Sequence, residues 1–254
     1  VNLLITAGGT AERIDDVRSI TNHSTGRLGQ VIAEHALLNG NDVTYITTAQ
    51  AIKPKQHPRL TMVEIESTLD LDHTLAQLLK AETFDAVIHS MAVSDFTPGL
   101  SMPDNELISR LSELLATSAL STETEISQAL TSAFATVSQE RNTAKKISSD
   151  AERLILFLEQ NPKVIKMVKE LQPQTQLVGF KLLVGVSDED LLRVAKESLQ
   201  KNQADFVLAN DLEKIHGDQH QAILLHRDGD VEKANNKQEI ATLILKNIEK
   251  RQTK

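Results

Sequence analysis

The chain has 254 residues, a formal charge of -8 at pH 7, 40% apolar but only 3% aromatic residues, and no cysteine. Its length suits one large α/β domain, and a core so poor in rings is built from Leu, Ile, Val and Ala, as in parallel sheets covered by helices. The missing cysteine excludes disulfides, thiolate metal sites and thiol catalysis, the acidic balance argues against general nucleic-acid binding, and no stretch reads as a membrane span or a signal peptide, so a soluble cytoplasmic protein is expected.

Leu3, Leu4 and Ile5 predict a buried first strand that runs into Gly8-Gly9-Thr10. Such a turn can bring backbone N–H groups against a phosphate or another anion. It is neither a Walker A loop, which needs a Lys-Ser/Thr pair after its second glycine, nor a G-x-G-x-x-G fingerprint. The stretch Asn22-His-Ser24-Thr-Gly26-Arg-Leu-Gly29 then sets cap residues before Leu28, Val31, Ile32 and His35, which share a helical face. The N-terminus of that helix points back toward the turn. Asn39-Gly40-Asn41 ends the helix and Asp42 to Thr47 is the second strand, completing a β-α-β unit. A loop with Pro54 and Pro58 leads to a strand at Thr61 to Ile65 and an amphipathic helix over 67–81. Phe84 to Ser90 is a fourth buried strand, and it changes sharply to Met91-Ala-Val-Ser-Asp95-Phe96 at its carboxyl end, where open parallel sheets bind ligands.

Residues 98–144 break this rhythm with Pro98-Gly99, Pro103 and a Ser/Thr/Leu/Glu stretch of helical period. Leu107, Leu111, Leu114 and Leu115 form one candidate helix face, and Ile126, Leu130, Phe134 and Val137 another; a partner subunit or the two helices themselves would cover them. The sheet pattern resumes at Leu154 to Leu158, and Pro162 suits the first turn of a helix through Leu171. A strand at Leu177 to Leu183, a helix over 187–201, strands at Asp205 to Ala209 and Ala222 to His226, and a helix over 236–250 complete the chain. No repeat or low-complexity linker interrupts it. The expectation is a doubly wound, mostly parallel sheet with helices on both faces and a late antiparallel edge.

Each candidate site residue also has a plainer reading. Gly8 and Gly9 are either ligand contacts or a tight strand-to-loop turn. Ser24 reads best as a helix cap, whereas Asn22, two residues earlier, is explained less well by capping. Asp95 at a strand end suits a cation or ribose contact, or a turn cap. Lys146, in a basic pair, reads by itself as a solvated charge, and Phe180 as core. Among the histidines only His216 and His220 have H-x-x-x-H spacing, and none has the H-E-x-x-H motif, so no zinc site is expected.

Taken together, ITAGGTAERIDDVRSITNHSTGRLG from Ile5, AVSDF at 92–96, KKISS at 145–149, NPKVI at 161–165, VGF at 178–180, AND at 209–211 and NKQEIA at 236–241 resemble the phosphopantothenoylcysteine synthetase family. Several ordered motifs over the whole chain are more specific than any one. The resemblance implies a Rossmann-like, single nucleotide-binding synthetase domain over 1–254 with a flexible helical flap at about 98–149. It implies a ligase of coenzyme A biosynthesis that condenses (R)-4'-phosphopantothenate with L-cysteine through an acyl-nucleotide, with CTP in the bacterial branch and ATP in the eukaryotic one. It further implies a homodimer, no nucleic-acid or membrane partner, and Mg²⁺ carried by the nucleotide phosphates, with Asp95 as its candidate protein contact.

Residue by residue, Asn22 of the N-x-S-x-G motif matches the asparagine that stabilises the acyl-nucleotide, and Lys146 the mobile-loop lysine, with Lys145 as runner-up. His89, Ser90, Met91 and Asp95 match the nucleotide site, as do Pro162, Lys163, Val164, Ile165 and Phe180. Lys196 and Lys201 are the best matches to two helix lysines. Gly8, Gly9, Thr10, Asn22, Ser24, Gly26, Ala92 and Asn210 match the substrate and phosphate loop.

Two departures stand out. Met91 replaces the alanine of many members, and Ser148-Ser149 replace two lysines of some bacterial ones, which weakens the argument from sequence for the base. The flavin-dependent decarboxylase half to which many bacterial members are fused is not in this sequence, so a standalone synthetase without FMN is expected. A short-chain NAD(P) reductase is the rival enzyme, but Tyr45 is followed four residues on by Ala49 where such a reductase needs lysine. A non-catalytic nucleotide-sensing module would keep Gly8, Gly9 and Phe180 yet need neither Asn22 nor Lys146.

Overall fold

A computed structural model describes residues 1–116, 119–140, 152–217 and 219–252. Along the chain the elements are β1 (Asn2–Thr6), β2 (Ala11–Arg13), β3 (Ser19–Thr21), α1 (Arg27–Leu38), β4 (Asp42–Thr48), β5 (Leu60–Ile65), α2 (Thr68–Ala81), β6 (Ala86–His89), β7 (Phe96–Pro103), α3 (Asp104–Leu115), α4 (Glu123–Ser138), β8 (Leu154–Gln160), α5 (Lys166–Leu171), β9 (Gln176–Leu183), α6 (Asp188–Lys201), β10 (Phe206–His216), β11 (Gln219–His226), β12 (Val231–Asn236) and α7 (Lys237–Gln252). They fall into two units, one formed by Val1–Thr10, Asn22–Val93 and Pro162–Lys254, the other by Ala11–Thr21 and Ser94–Asn161.

The first unit holds a sheet of order β12-β11-β10-β9-β6-β1-β4-β5. Strands β5 through β10 of that order are parallel, and β11 and β12 add the antiparallel edge. Side chains alternate across the sheet because the strand period is two. Leu3 and Ile5 of β1 face a core shared with α1 and α7, whereas Leu4 faces a second core shared with α2, α5 and α6. Helices therefore cover both faces. Chain order reverses between β1 and β6, so the switch point of this Rossmann-like sheet opens beyond Thr6 and His89. Among the described residues no helix is long and apolar enough to cross a membrane.

The second unit contains the β2–β3 hairpin, the antiparallel pair β7–β8, and helices α3 and α4 around Leu100, Met102, Leu107 and Val137. Its span is wider than the helical excursion expected over 98–149. Pro98 and Gly99 hid β7 from the sequence pattern, and a register shift in the ladder falls there, between Pro98 and Leu100. Leu154 to Leu158 do not return to the main sheet as expected; they pair with β7 and stay half-buried or exposed, since that ribbon has only two strands. The helices pack on each other in part: Leu107 and Val137 are buried, while Leu114, Ile126 and Phe134 remain exposed.

Two boundaries also differ. Pro162 does not open a helix: Pro162–Ile165 is a turn, with Val164 N–H donating to the Pro162 carbonyl at 3.1 Å, and α5 starts at Lys166. Strand β10 runs on to His216, well past the expected end at Ala209.

Candidate active site at the switch point

The glycine turn is fastened to the end of β6 by backbone hydrogen bonds. The Ala92 N–H donates to the Gly8 carbonyl at 2.8 Å, and the Thr10 N–H donates to the Ala92 carbonyl at 3.1 Å. Thr10 therefore spends its N–H inside the protein, so only the Gly8 and Gly9 N–H groups, which donate to no backbone carbonyl among the described residues, suit an anion. Gly8 has φ of 100°, the left-handed region that favours glycine, and a Cβ there would meet Ala51 and Thr48.

The segment after β3 packs against this turn. A Cβ on Gly9 would lie 2.9 Å from the Asn22 carbonyl oxygen and 3.6 Å from the Ser24 Cβ. The Ile52 N–H donates to the Thr25 carbonyl at 2.9 Å and holds the segment from its other side. Helix α1 then starts with Gly26 as its N-cap, in the left-handed region at φ 73°, with no side-chain cap hydrogen bond and no acidic residue in its first turn. Ser24 is thus not the cap that its position suggested. An uncapped helix N-terminus presents N–H groups and the positive end of the helix dipole to an anion.

On the opposite face of the sheet, Met91 and Val164 share one apolar cluster with Val93, Ile165 and Val186 packed against it. A Cβ on Gly179 would touch Ile165 Cδ1 at 3.5 Å, so the Pro162–Ile165 turn lies over β9. His89 is 7% exposed, and burial pushes its pKa down to about 4, which keeps the ring neutral at physiological pH. Its Nδ1 is 2.9 Å from the Thr6 hydroxyl. Phe180 packs toward the other core, beside α1 and α7. Asn210 is buried on β10 between Leu182 and Ala222. Its neighbour Asp211 accepts N–H hydrogen bonds from Gly185, Val186 and Glu213, which hold its carboxyl below the usual carboxylate range and pin the turn after β9.

The structure thus gathers Gly8, Gly9, Asn22, Ser24, Gly26 and Ala92 around one turn, and Met91, Val164 and Ile165 on the far face of the same sheet. It does not bring Lys201 there. That residue ends α6 and sits with Lys166, Lys169 and Gln203 at the end of the sheet where β9 and β10 begin. Lys196 is exposed, eight residues into α6 and so about 12 Å along its axis from the N-terminus. Asp95, in the second unit, is exposed, and its carbonyl accepts from the Asn161 N–H at 2.8 Å. Lys145, Lys146, Ser148 and Ser149 lie outside the described residues. Thr6 and Asp211 are the residues that sequence reading missed. A strand threonine carries no signal, and only the AND motif pointed at Asp211.

The sequence matches the family described as DNA/pantothenate metabolism flavoprotein C-terminal domain over residues 1–105 and 107–252. It is 30% identical over 226 residues to the coenzyme A biosynthesis bifunctional protein CoaBC of Thermococcus kodakarensis, an alignment covering 89% of this chain and 45% of that protein. The chain spans about half the length of the curated relatives it matches. The crystal structure of the DNA/pantothenate metabolism flavoprotein from Streptococcus pneumoniae is 42% identical, with a TM-score of 0.81 and coverage of 98% of this chain and 99% of that one. A Cab2 mutant in complex with phosphopantothenate-cysteine has a TM-score of 0.66 at 19% identity, covering 98% of this chain and 85% of that one, and shares the fold.

Proposed function

The chain belongs to the family of the DNA/pantothenate metabolism flavoprotein C-terminal domain, and on that premise we propose that it is a ligase joining (R)-4'-phosphopantothenate to L-cysteine, with CTP as the activating nucleotide. The observation that carries the proposal is the glycine turn, fastened to Ala92 at the switch point and packed against Asn22 beside an uncapped helix N-terminus. Such a site suits a phosphorylated carboxylate.

A carboxylate is a poor electrophile, so it must first be activated. In the first step the phosphopantothenate carboxylate oxygen attacks the nucleotide α-phosphorus, the bond to the β-phosphate breaks, and pyrophosphate leaves with its electron pair. In the second, the cysteine amine attacks the acyl carbon, CMP departs with the carboxylate oxygen, and the nitrogen loses its proton to leave the amide. In this scheme the Gly8 and Gly9 N–H groups hold phosphate, the Asn22 amide donates to the acyl-nucleotide oxygens, and Met91 and Pro162–Ile165 border the nucleotide. The family resemblance further assigns Asp95 and Lys146 to the nucleotide, Lys146 as a cation in the second step. Mg²⁺ is assigned to the triphosphate it arrives with, with Asp95 as its candidate protein contact. A homodimer belongs to the same proposal, supported by the exposed Ile126 and Phe134 on α4, and a monomeric mass in light scattering removes it.

The test is a synthetase assay run with CTP and ATP side by side. Pyrophosphate release that depends on phosphopantothenate and Mg²⁺, with amide formed only when cysteine is added, supports the reading. Nucleotide-independent turnover, or NAD(P)H oxidation in place of it, overturns the reading, and faster turnover with ATP corrects the nucleotide alone.

A further inference from the structure

Thr6 is the last residue of β1 and is fully buried. Its Oγ1 lies 2.9 Å from His89 Nδ1 and accepts from the Met91 N–H at 3.4 Å. A hydroxyl has one hydrogen to give, whereas a neutral imidazole donates through one nitrogen and accepts through the other. Two proton arrangements are possible. If His89 Nδ1 carried the proton, Thr6 would accept twice and its own O–H would be buried with no acceptor among the described residues. If Thr6 donates to Nδ1, its hydrogen, the Met91 N–H and Nδ1 are all satisfied, and buried polar groups are rarely left unpaired. The ring proton then sits on Nε2. That nitrogen has no protein partner among the described residues and is not one of the buried unpaired atoms, so it lies on the small exposed edge of the ring.

Thr6 and His89 are partners in the β1–β6 register and follow the alternation of Leu4 and Val87, which puts His89 on the sheet face that also carries Met91 and Val164. An uncharged N–H suits an uncharged acceptor, such as a base carbonyl or ring nitrogen, better than a phosphate, which is bound more strongly by cations and charge-assisted bonds.

We propose that Thr6 is a positioning residue that fixes His89 as the Nε2–H tautomer, so that the ring offers one neutral donor to the base of the nucleotide. The nucleotide part rests on the ligase reading above; the tautomer does not. Long-range ¹H–¹⁵N correlation spectra of the full chain with ¹⁵N-histidine, assigned through His89→Gln, read it directly. The expected pattern at pH 7 is Nε2–H in the wild type and in Thr6→Ser, and a mixture of tautomers in Thr6→Val. An Nδ1–H ring in the wild type overturns the proposal whether or not the variants fold.

Added CMP is expected to move the His89 Nε2 resonance, and inorganic pyrophosphate to leave it in place. In the assay, Thr6→Val is expected to raise KM for the nucleotide about tenfold, the equivalent of one lost hydrogen bond of about 1.4 kcal/mol, with kcat changed less and Thr6→Ser restoring KM. No response to CMP, or a response to pyrophosphate alone, overturns the assignment to the base. An Nε2–H ring in a chain without ligase activity refutes the ligase reading and leaves the tautomer standing.

Discussion

A Cβ on Gly9 would lie 2.9 Å from the carbonyl oxygen of Asn22. That is closer than side-chain carbons approach backbone oxygens, and the neighbour is main chain, so it cannot swing aside. Gly9→Ala is therefore expected to push the 22–26 segment off the turn and misplace the Asn22 amide. Because a displacement of about 1 Å can cost on the order of 100-fold in rate, kcat/KM should fall about 10- to 100-fold. Loss of stability should stay near 1–3 kcal/mol, the usual cost of overpacking. Steady-state kinetics beside urea unfolding check this, and unchanged kinetics in a folded Gly9→Ala protein would remove the steric link.

The proposed roles separate by which half-reaction stalls. Asn22→Asp replaces an amide donor with a like charge beside the acyl-nucleotide oxygens, and losing one such donor costs about 100- to 1,000-fold in kcat. Pyrophosphate release should fall with overall turnover. Lys146→Gln should instead let pyrophosphate form once per site while amide formation lags. Quenched-flow measurement of pyrophosphate and amide distinguishes the two, and amide formation at the wild-type rate in either variant refutes that residue's role.

How far the sequence disclosed this arrangement follows from what each residue had to do. Strands β1, β4, β6 and β9 were legible because strands buried on both faces are continuous apolar runs, and their alternation with helices announced the parallel order. Strand β12 was not, since Val231 and Ala234 are its only apolar residues. The β2–β3 hairpin, three residues a side, is too short and polar to show a period. At the site, Gly8, Gly9 and Asn22 could be picked out by residue type, but the start of α1 could not. Ser24 looked like a cap, and the chain instead turns at Gly26. Thr6 was invisible for a different reason: its importance lies in a partner 83 positions away.

At the end of the sheet where β9 and β10 begin, Lys169 Nζ contacts Asp205 Oδ2 at 2.6 Å and donates to the Thr175 carbonyl at 2.6 Å, with both side chains under 10% exposed. Asp205 also accepts from the Leu177 N–H at 2.9 Å. Lys169→Met removes the close cation of a buried carboxylate and leaves it the half-exposed Arg227 guanidinium, whose Nη1 is 3.7 Å from Asp205 Oδ1. Breaking a buried pair costs about 3–5 kcal/mol, and the low end of that range is expected here. Urea unfolding should show that loss. With no contact to the switch point, the folded fraction should keep its KM for nucleotide. A loss below about 1 kcal/mol, the range of exposed pairs, would mean that Arg227 or water relieves the charge.

Two buried histidines are expected to make the fold sensitive to acid. Burial pushes both His89 and His220 down to about 4, with Lys237 adding to the effect at His220. Neither ring nitrogen of His220 has a hydrogen-bond partner among the described residues. An unfolded chain titrates its histidines near 6.5, so it binds more protons than the folded one below that pH, and stability falls as pH falls. The contribution is present in full above about pH 6.5 and is lost progressively toward pH 4. For His89 the loss amounts to about 3 kcal/mol. Carboxylates held low by hydrogen bonds, such as Asp211, act in a lower window, below their ordinary value of 3.8. Urea midpoints at pH 7.5, 6.5, 5.5 and 4.5 should therefore decline, and the decline should flatten in the double variant His89→Gln, His220→Leu. His220→Leu alone should be neutral or stabilising at pH 7.5, since it removes two unpaired buried nitrogens. A decline of the same slope in the double variant would assign the acid sensitivity to other groups.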